Sequence, residues 1–228
     1  MTTTIQDKRA AFKALHEQGC FIIPNPWDVG SALMLQGMGF KALASTSSGH
    51  AWSTGQADAS VTRGHVLDHL RMLVNATDLP VNAQGVAESV RMAVATGVAG
   101  LSIEDATGDK AAPIYNMAEA VTRMRAARAA IDESGGDTLL VGRAENFLHG
   151  RADLADTIAR LKAYADAGAD CLYAPGIKTR DDIVAVVTAV APKPVNLLIG
   201  WASDFTLADV AAMGVRRISV ARAGAGAL

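Results

Sequence analysis

The side chains able to do chemistry cluster where short apolar runs end. Asn25 closes FIIPN with Trp27 just beyond it, and Ser47, Ser48, Gly49 and His50 follow ALAST. Asn82 lies within LPVNA, Glu104 and Asp105 close GLSIED, Arg143 and Glu145 sit in LLVGRAE, and Asp58 lies in GQADAS. Carboxylates converging with an arginine suit a hard divalent cation, Mg²⁺ first, together with an anionic substrate. Each residue also has a structural alternative. Glu104 and Asp105 could be an acid pair at a helix start, favoured by the dipole. Arg143 could be tied up with Glu145 as a packed ion pair. Asp58 could simply begin a helix before Ser60 and Thr62, and Asn116 of PIYN could cap the helix at Met117. His65, His69 and His149 read as surface or supporting residues rather than ligands.

The elements that would bring these residues together are repeated. Eight apolar runs recur: 21–25, 42–46, 79–83, 100–105, 139–145, 171–176, 194–200 and 217–220. Helical periodicity follows over 62–76, 86–96, 117–134, 153–168, 180–190 and 207–213. Glycines between helix and strand, as in DAGADCL and AMGVRRI, suit left-handed helix ends. Runs buried on both faces and followed by helices predict a parallel sheet, and eight of them predict a (β/α)8 barrel. A single domain over residues 1–228 is expected. A doubly wound open sheet is the alternative, but no GxGxxG or GxxxxGK[ST] follows the first run. In a barrel the site forms at the C-terminal ends of the strands, where the polar residues named above stand.

Composition narrows the class further. The 228 residues are 50% hydrophobic and 19% charged, enough for a large core. A net charge of −2 offers no basic excess for nucleic acid. The N-terminal residues lack an apolar leader, and no stretch is apolar enough to span a bilayer. The two cysteines, Cys20 and Cys171, match no metal or CxxC spacing, so a cytoplasmic setting is expected.

NPWDVGSALMLQGMGFKALASTSSGHAWSTG, LPVNA, GVAGLSIED and VGRAENFLHGR, in that order, resemble the isocitrate lyase and phosphoenolpyruvate mutase superfamily. The likeness runs from about Asn25 to Val220 and is nearest to the short, phosphonomutase-like members. It implies a Mg²⁺-dependent enzyme that makes or breaks a C–C or P–C bond beside a 2-oxo acid, through an enolpyruvate-like intermediate. Glu104 and Asp58 resemble metal-shell carboxylates. Ser48, Gly49 and His50 resemble a loop whose amides and hydroxyl bind the substrate, Trp27 stands beside them, and Arg143 resembles the arginine that reaches the anion. The resemblance also implies a homodimer or homotetramer with an exchanged eighth helix.

Departures from the family sharpen the expectation. After LPVNA the chain passes through Gln84 to Gly85, where the family has an acidic metal-binding segment, and only ARAGAGAL follows RISV where an eighth helix would lie. Residues missing from these stretches, rather than true deletions, are the preferred explanation, because so short a connection leaves little room for an active-site loop. The KxCGH segment of the isocitrate and methylisocitrate lyases is replaced by GDKAAPIYN, which disfavours tricarboxylates. Cleavage of an oxaloacetate-like acid is the leading expectation. Phosphonopyruvate-type P–C chemistry is the alternative, and a non-catalytic carboxylate-binding barrel without its metal segment is a third.

Overall fold

The computed structural model describes residues 3–57, 60–83 and 90–220. It begins with a helix that the repeats do not announce, α1 (Ile5–Leu15). Thr4 caps it by accepting from the Asp7 N–H, while the Asp7 carboxylate accepts from the Thr4 N–H. Two of its cations are buried. Lys8 Nζ donates to the carbonyls of Val74 (2.7 Å) and Thr77 (2.6 Å), and Arg9 donates to those of Val98 (3.1 Å) and Val94 (3.0 Å). Carbonyls at helix ends lack intrahelical partners, so these bonds tie α1 to the body of the protein.

The repeats then follow as β1 (Phe21–Ile23), α2 (Val29–Gly37), β2 (Leu43–Ala44), α3 (Ser47–Ser53), α4 (Arg63–Ala76), β3 (Val81–Ala83) and α5 (Val90–Val94). The second half runs β4 (Gly100–Glu104), α6 (Met117–Glu133), β5 (Leu139–Arg143), α7 (Leu154–Asp166), β6 (Cys171–Tyr173), α8 (Arg180–Val190), β7 (Val195–Ile199), α9 (Leu207–Ala212) and β8 (Arg217–Val220). A 3₁₀ turn, Asn146–His149, follows β5. All the strand pairs are parallel, in the order β1-β8-β7-β6-β5-β4-β3-β2. Ala44 N–H donates to the Pro24 carbonyl at 2.9 Å and draws the two ends of the sheet together. The result is a nearly closed (β/α)8 barrel.

All eight expected strands are present, each within the apolar run that predicts it. Helix starts follow the polar residue in front of them: Thr62, Asn116, Asp153, Thr179 and Thr206 each accept from an N–H in the first turn. Asn116 is therefore a cap, accepting from the Glu119 N–H at 3.0 Å. Helices α1, α2 and α3 stand where only loops or unassigned residues are expected. Asp58, the segment 84–89 that includes Gln84 and Gly85, and the C-terminal residues 221–228 lie outside the described residues.

Alternation of side chains divides each strand between two apolar regions. Leu140, Leu101, Leu172, Val195 and Ile218 pack outward under the helices. Phe21, Ile23, Leu139, Val141 and Cys171 point into the barrel, where Phe12 of α1 joins them. The same alternation places Glu104, Arg143, Tyr173, Asn196 and Arg217 on the interior side. They are successive register partners across β4, β5, β6, β7 and β8.

His16 helps close the base of the barrel. Its Nδ1 lies 2.7 Å from the Phe12 carbonyl and must donate to it, which leaves Nε2 to accept from Arg217 Nη1 at 3.5 Å. Burial and the neighbouring Arg217 push its pKa down to about 3. The folded state therefore holds His16 neutral, whereas the unfolded chain titrates it near 6.5. Its contribution is fully present above pH 6.5 and is lost as pH falls toward 3, by about 1.4 kcal/mol per pH unit. His16→Gln, which keeps one donor and one acceptor, is expected to flatten the fall of Tm with pH over that window in thermal unfolding. An unchanged slope would assign the acid sensitivity to other groups.

Candidate functional site

The mouth of the barrel is organised around Arg143, the last residue of β5. It is part-buried and its guanidinium is shared. Nη2 lies 2.6 Å from Glu145 Oε1, Nη1 lies 3.3 Å from Glu104 Oε2, and the group stacks 4.9 Å from the Tyr173 ring centroid. Burial works against its charge, but Glu145, Tyr173 and Glu104 outweigh that and hold it firmly charged. Burial also pushes the Glu145 carboxyl upward while Arg143 pulls it back. At 2.6 Å the contact is that of a charged pair. The ion-pair reading of Arg143 and its position at the mouth are therefore both true, since Glu145 occupies only part of the fork.

Glu104 differs from Asp105 in every respect that matters for ligands. The Glu104 side chain is 32% exposed, and that of Asp105 is 1% exposed. Asp105 accepts from Arg160 Nη1 (3.0 Å), Tyr164 Oη (2.7 Å) and the Glu145 N–H (2.8 Å). It is not the start of a helix, because the chain instead runs into a bridge between Ala106 and Ile114. Asp105 thus secures the chain just past β5, and the part-exposed carboxylate at the mouth is Glu104.

A cavity of about 190 Å³ opens beside Arg143, and Asn25, Trp27, Ser48, Gly49, Tyr173 and Ser219 are among its lining residues. Trp27 is half exposed, meeting Trp52 edge to face at 6.5 Å. Gly49 is required by this packing, since a Cβ there would lie 2.5 Å from Trp27 Cδ1 and 2.6 Å from Thr46 Cγ2. A larger cavity of about 630 Å³, near Lys13, His16, Lys193 and Arg216, is at the other end of the strands. It is remote from Glu104 and Arg143.

Two expectations for the segment after β2 are corrected. Ser48, Gly49 and His50 are not in a loop but in the first turn of α3, because Thr46 supplies a cap. The Gly49 N–H is bound to Thr46 Oγ1 at 3.2 Å and the His50 N–H to the Thr46 carbonyl at 3.1 Å, so neither amide is free for a substrate. The His50 ring does not line the mouth cavity. It stacks on His69 of α4, with centroids 3.8 Å apart, and borders a separate cavity with His65 and Asp68. Burial lowers the pKa of both stacked rings, that of His69 to about 4. Ser48, its hydroxyl 3.2 Å from Thr46 Oγ1, and Gly49 remain at the cavity wall.

Three residues that sequence reasoning passed over belong to the site: Thr46, Tyr173 and Ser219. The signal for Tyr173 is its register, directly beside Arg143 on the neighbouring strand. Among the described residues no cluster of three His, Cys, Asp or Glu side chains is placed to hold a metal. The donor chemistry still fits Mg²⁺, which keeps several waters and is held through one or two carboxylates plus substrate oxygens. Glu104 offers one such carboxylate. No helix among the described residues is long and apolar enough to cross a membrane.

Known proteins share this fold and sequence along most of the chain. A solved protein of Burkholderia cenocepacia J2315, provisionally described as a lyase/mutase, is 49% identical with a TM-score of 0.90, covering 95% of this chain and 82% of that one. An oxaloacetate acetylhydrolase solved with its product oxalate is 27% identical with a TM-score of 0.84, covering 94% of this chain and 80% of that one. The oxaloacetate decarboxylase of Bradyrhizobium sp. (strain BTAi1 / ATCC BAA-1182) is 31% identical across 73% of this chain and 60% of its own length. An uncharacterised protein of Mycobacterium tuberculosis (strain ATCC 25618 / H37Rv) is 32% identical over 92% of this chain and 81% of its own. The profile of the family described as phosphoenolpyruvate phosphomutase matches residues 12–228. With that profile matched from near the start of the barrel through β8, and solved lyases and hydrolases sharing the parallel barrel, this chain belongs to the phosphoenolpyruvate phosphomutase family.

Proposed function

We propose that this chain is a Mg²⁺-dependent lyase that cleaves the C–C bond one carbon removed from the oxo group of a small, oxaloacetate-like 2-oxo acid. The observation that carries the reading is a part-buried, permanently charged arginine that lines a cavity of about 190 Å³ and pairs with the part-exposed carboxylate of Glu104. Such a space accommodates a small diacid. Kinship with an oxaloacetate decarboxylase and an oxaloacetate acetylhydrolase supports the choice of acid.

In this reading Arg143 binds the substrate carboxylate with the N–H groups that Glu145 and Glu104 leave free. Tyr173, stacked beneath the guanidinium, keeps it from swinging. Glu104, with Asp58 implied by resemblance, would hold Mg²⁺, which when bound supplies Lewis-acid stabilisation of charge on the oxo oxygen. Ser48 and Gly49 form the wall opposite, with Trp27 over them. As the C–C bond breaks, its electron pair remains on the 2-oxo acid fragment as an enolate, and carbon dioxide leaves. Fixed cations ready before the charge develops are the main source of rate in such a step. Homo-oligomerisation is part of the proposal, carried by the exposed Leu33, Met34 and Met38 on and just after α2. A cytoplasmic location suits two free cysteines.

The test is turnover of oxaloacetate with and without Mg²⁺, in the wild type and in Glu104→Gln. The substitution keeps volume and removes the anionic ligand, so Mg²⁺-dependent turnover is expected to fall at least about a hundredfold. A rate unaffected by the change would sink the assignment of Glu104. A second reading, rearrangement or hydrolysis of a phosphonopyruvate-like compound, is favoured by the family profile over 12–228 and would be recognised by phosphorus NMR of the products.

A further inference from the structure

The interior polar row does not stop at Arg143. It descends from the mouth to the base of the barrel as a chain of hydrogen bonds. Arg217 Nε donates to Asn196 Oδ1 at 2.7 Å, Asn196 Nδ2 donates to Ser219 Oγ at 2.9 Å, and Ser219 Oγ donates to Tyr173 Oη at 3.3 Å. Arg217 and Ser219 are each 3% exposed, Asn196 is 0% and Tyr173 is 5% exposed. No carboxylate among the described residues pairs with Arg217, so stability alone gives a poor account of a cation buried there.

The arginine sets the sense of the whole chain. A guanidinium has donors and no acceptor, so the Asn196 atom facing it must be the oxygen. The Asn196 amide nitrogen is then turned toward Ser219 and donates to it. Ser219 passes its own hydrogen to Tyr173. Tyr173 Oη has now accepted, and among the described residues nothing takes its hydrogen. Tyr173 and Ser219 both line the mouth cavity beside Arg143. Burial, the strongest influence on this phenol, keeps it protonated and therefore a donor.

We propose that Tyr173 is a catalytic residue whose hydroxyl donates a hydrogen bond to an anionic oxygen of the bound 2-oxo acid, and that Asn196 and Arg217 are positioning residues that fix the direction of that bond. The assignment rests on the 2-oxo acid reading for the class of ligand. It adds a neutral donor beside the cationic one, so that a planar dicarboxylate or enolate meets two donors fixed on neighbouring strands. The buried Arg217 thereby acts at the mouth without touching the substrate.

The experiment is calorimetric titration of oxalate with Mg²⁺ present, run beside oxaloacetate turnover, on the wild type, Tyr173→Phe, Asn196→Asp and the double variant. Tyr173→Phe removes only the hydroxyl and is expected to weaken oxalate binding roughly ten- to a hundredfold. Asn196→Asp keeps the shape and gives Arg217 a carboxylate, but it makes the position an acceptor only. Ser219 must then donate to Asp, and Tyr173 must donate to Ser219 instead of to the ligand. A loss comparable to that of Tyr173→Phe is expected, with no further loss in the double variant.

Each outcome decides something. A further loss in the double variant as large as the single Asn196→Asp effect would mean that the new charge acts directly, and would overturn the positioning role. Wild-type affinity in Tyr173→Phe would overturn the catalytic role, whether or not oxaloacetate is turned over. Weakened oxalate binding in a protein whose wild type leaves oxaloacetate intact would retain Tyr173 and remove the lyase reading. A wild type that binds no oxalate would remove both.

Discussion

Arg143→Ala is expected to lower kcat/KM for the 2-oxo acid by at least about a hundred- to a thousandfold, the effect of deleting one preorganised donor from a site that stabilises developing negative charge. It is also expected to destabilise the fold. Glu145, with a side chain only 5% exposed, would lose its sole salt-bridge partner among the described residues. Leaving one member of a buried pair uncompensated costs about 3–5 kcal/mol. Thermal unfolding and steady-state kinetics on the same preparation separate the two effects. The companion variant Arg143→Met with Glu145→Leu removes both charges, and its Tm is expected to return toward the wild-type value while activity stays lost. If the double variant were active, Arg143 would be a structural ion-pair residue and nothing more. Arg143→Lys is not a conservative control, because a lysine cannot serve Glu145, Glu104 and a substrate carboxylate with one planar fork.

The second large effect is expected at Asp105, whose side chain is shut away from the mouth cavity. Asp105→Ala strips a partner from Tyr164, a fully buried residue, and from Arg160, 6% exposed, and it frees the Glu145 N–H. Burial and Asp105 together hold the Tyr164 phenol well above its ordinary pKa, so it is always a donor in need of an acceptor. Destabilisation of about 3–5 kcal/mol follows. For a chain of this size that is a fall in Tm of about 6–20 °C by scanning calorimetry. Because the Glu145 N–H is one of the bonds lost, KM is expected to rise as well, through loosened placement of Arg143. An unchanged Tm would show that Arg160 is satisfied by Asp156 and the Tyr115 carbonyl alone, to which it also donates.

These two residues also show how far the sequence could be read. The strands were legible because each is a short apolar run buried on both faces, and the helix starts because a capping hydroxyl, amide or carboxylate announces them. Helices α2 and α3 were not. VGSALMLQG is apolar almost throughout, so periodicity had no polar face to register, and TSSGHAWS is short and rich in residues that usually make turns. In the site, Glu104 and Arg143 were visible as polar interruptions at strand ends. The difference between Glu104 and Asp105 was not, because adjacent residues on a strand face opposite sides and the sequence does not say which side is the barrel interior. Tyr173 was hidden for a related reason. An aromatic in an apolar run reads as core until the register places it next to Arg143. His50 shows the converse, a histidine in a suggestive motif whose ring turns toward His69.

The contact between His16 and Arg217 joins residues 201 positions apart in the chain. Its consequence lies in how the molecule is made. During synthesis β1 emerges early, yet its partner strand β8 is the last to appear, so the barrel cannot be sealed until nearly all of the chain has been produced. Until then Phe12 and Phe21 lack the interior they pack into, and β1 presents an unpaired edge beside them. The cost of closing so long a connection is met before its contacts reward it, which makes the sealing of β1 against β8 a late step in folding.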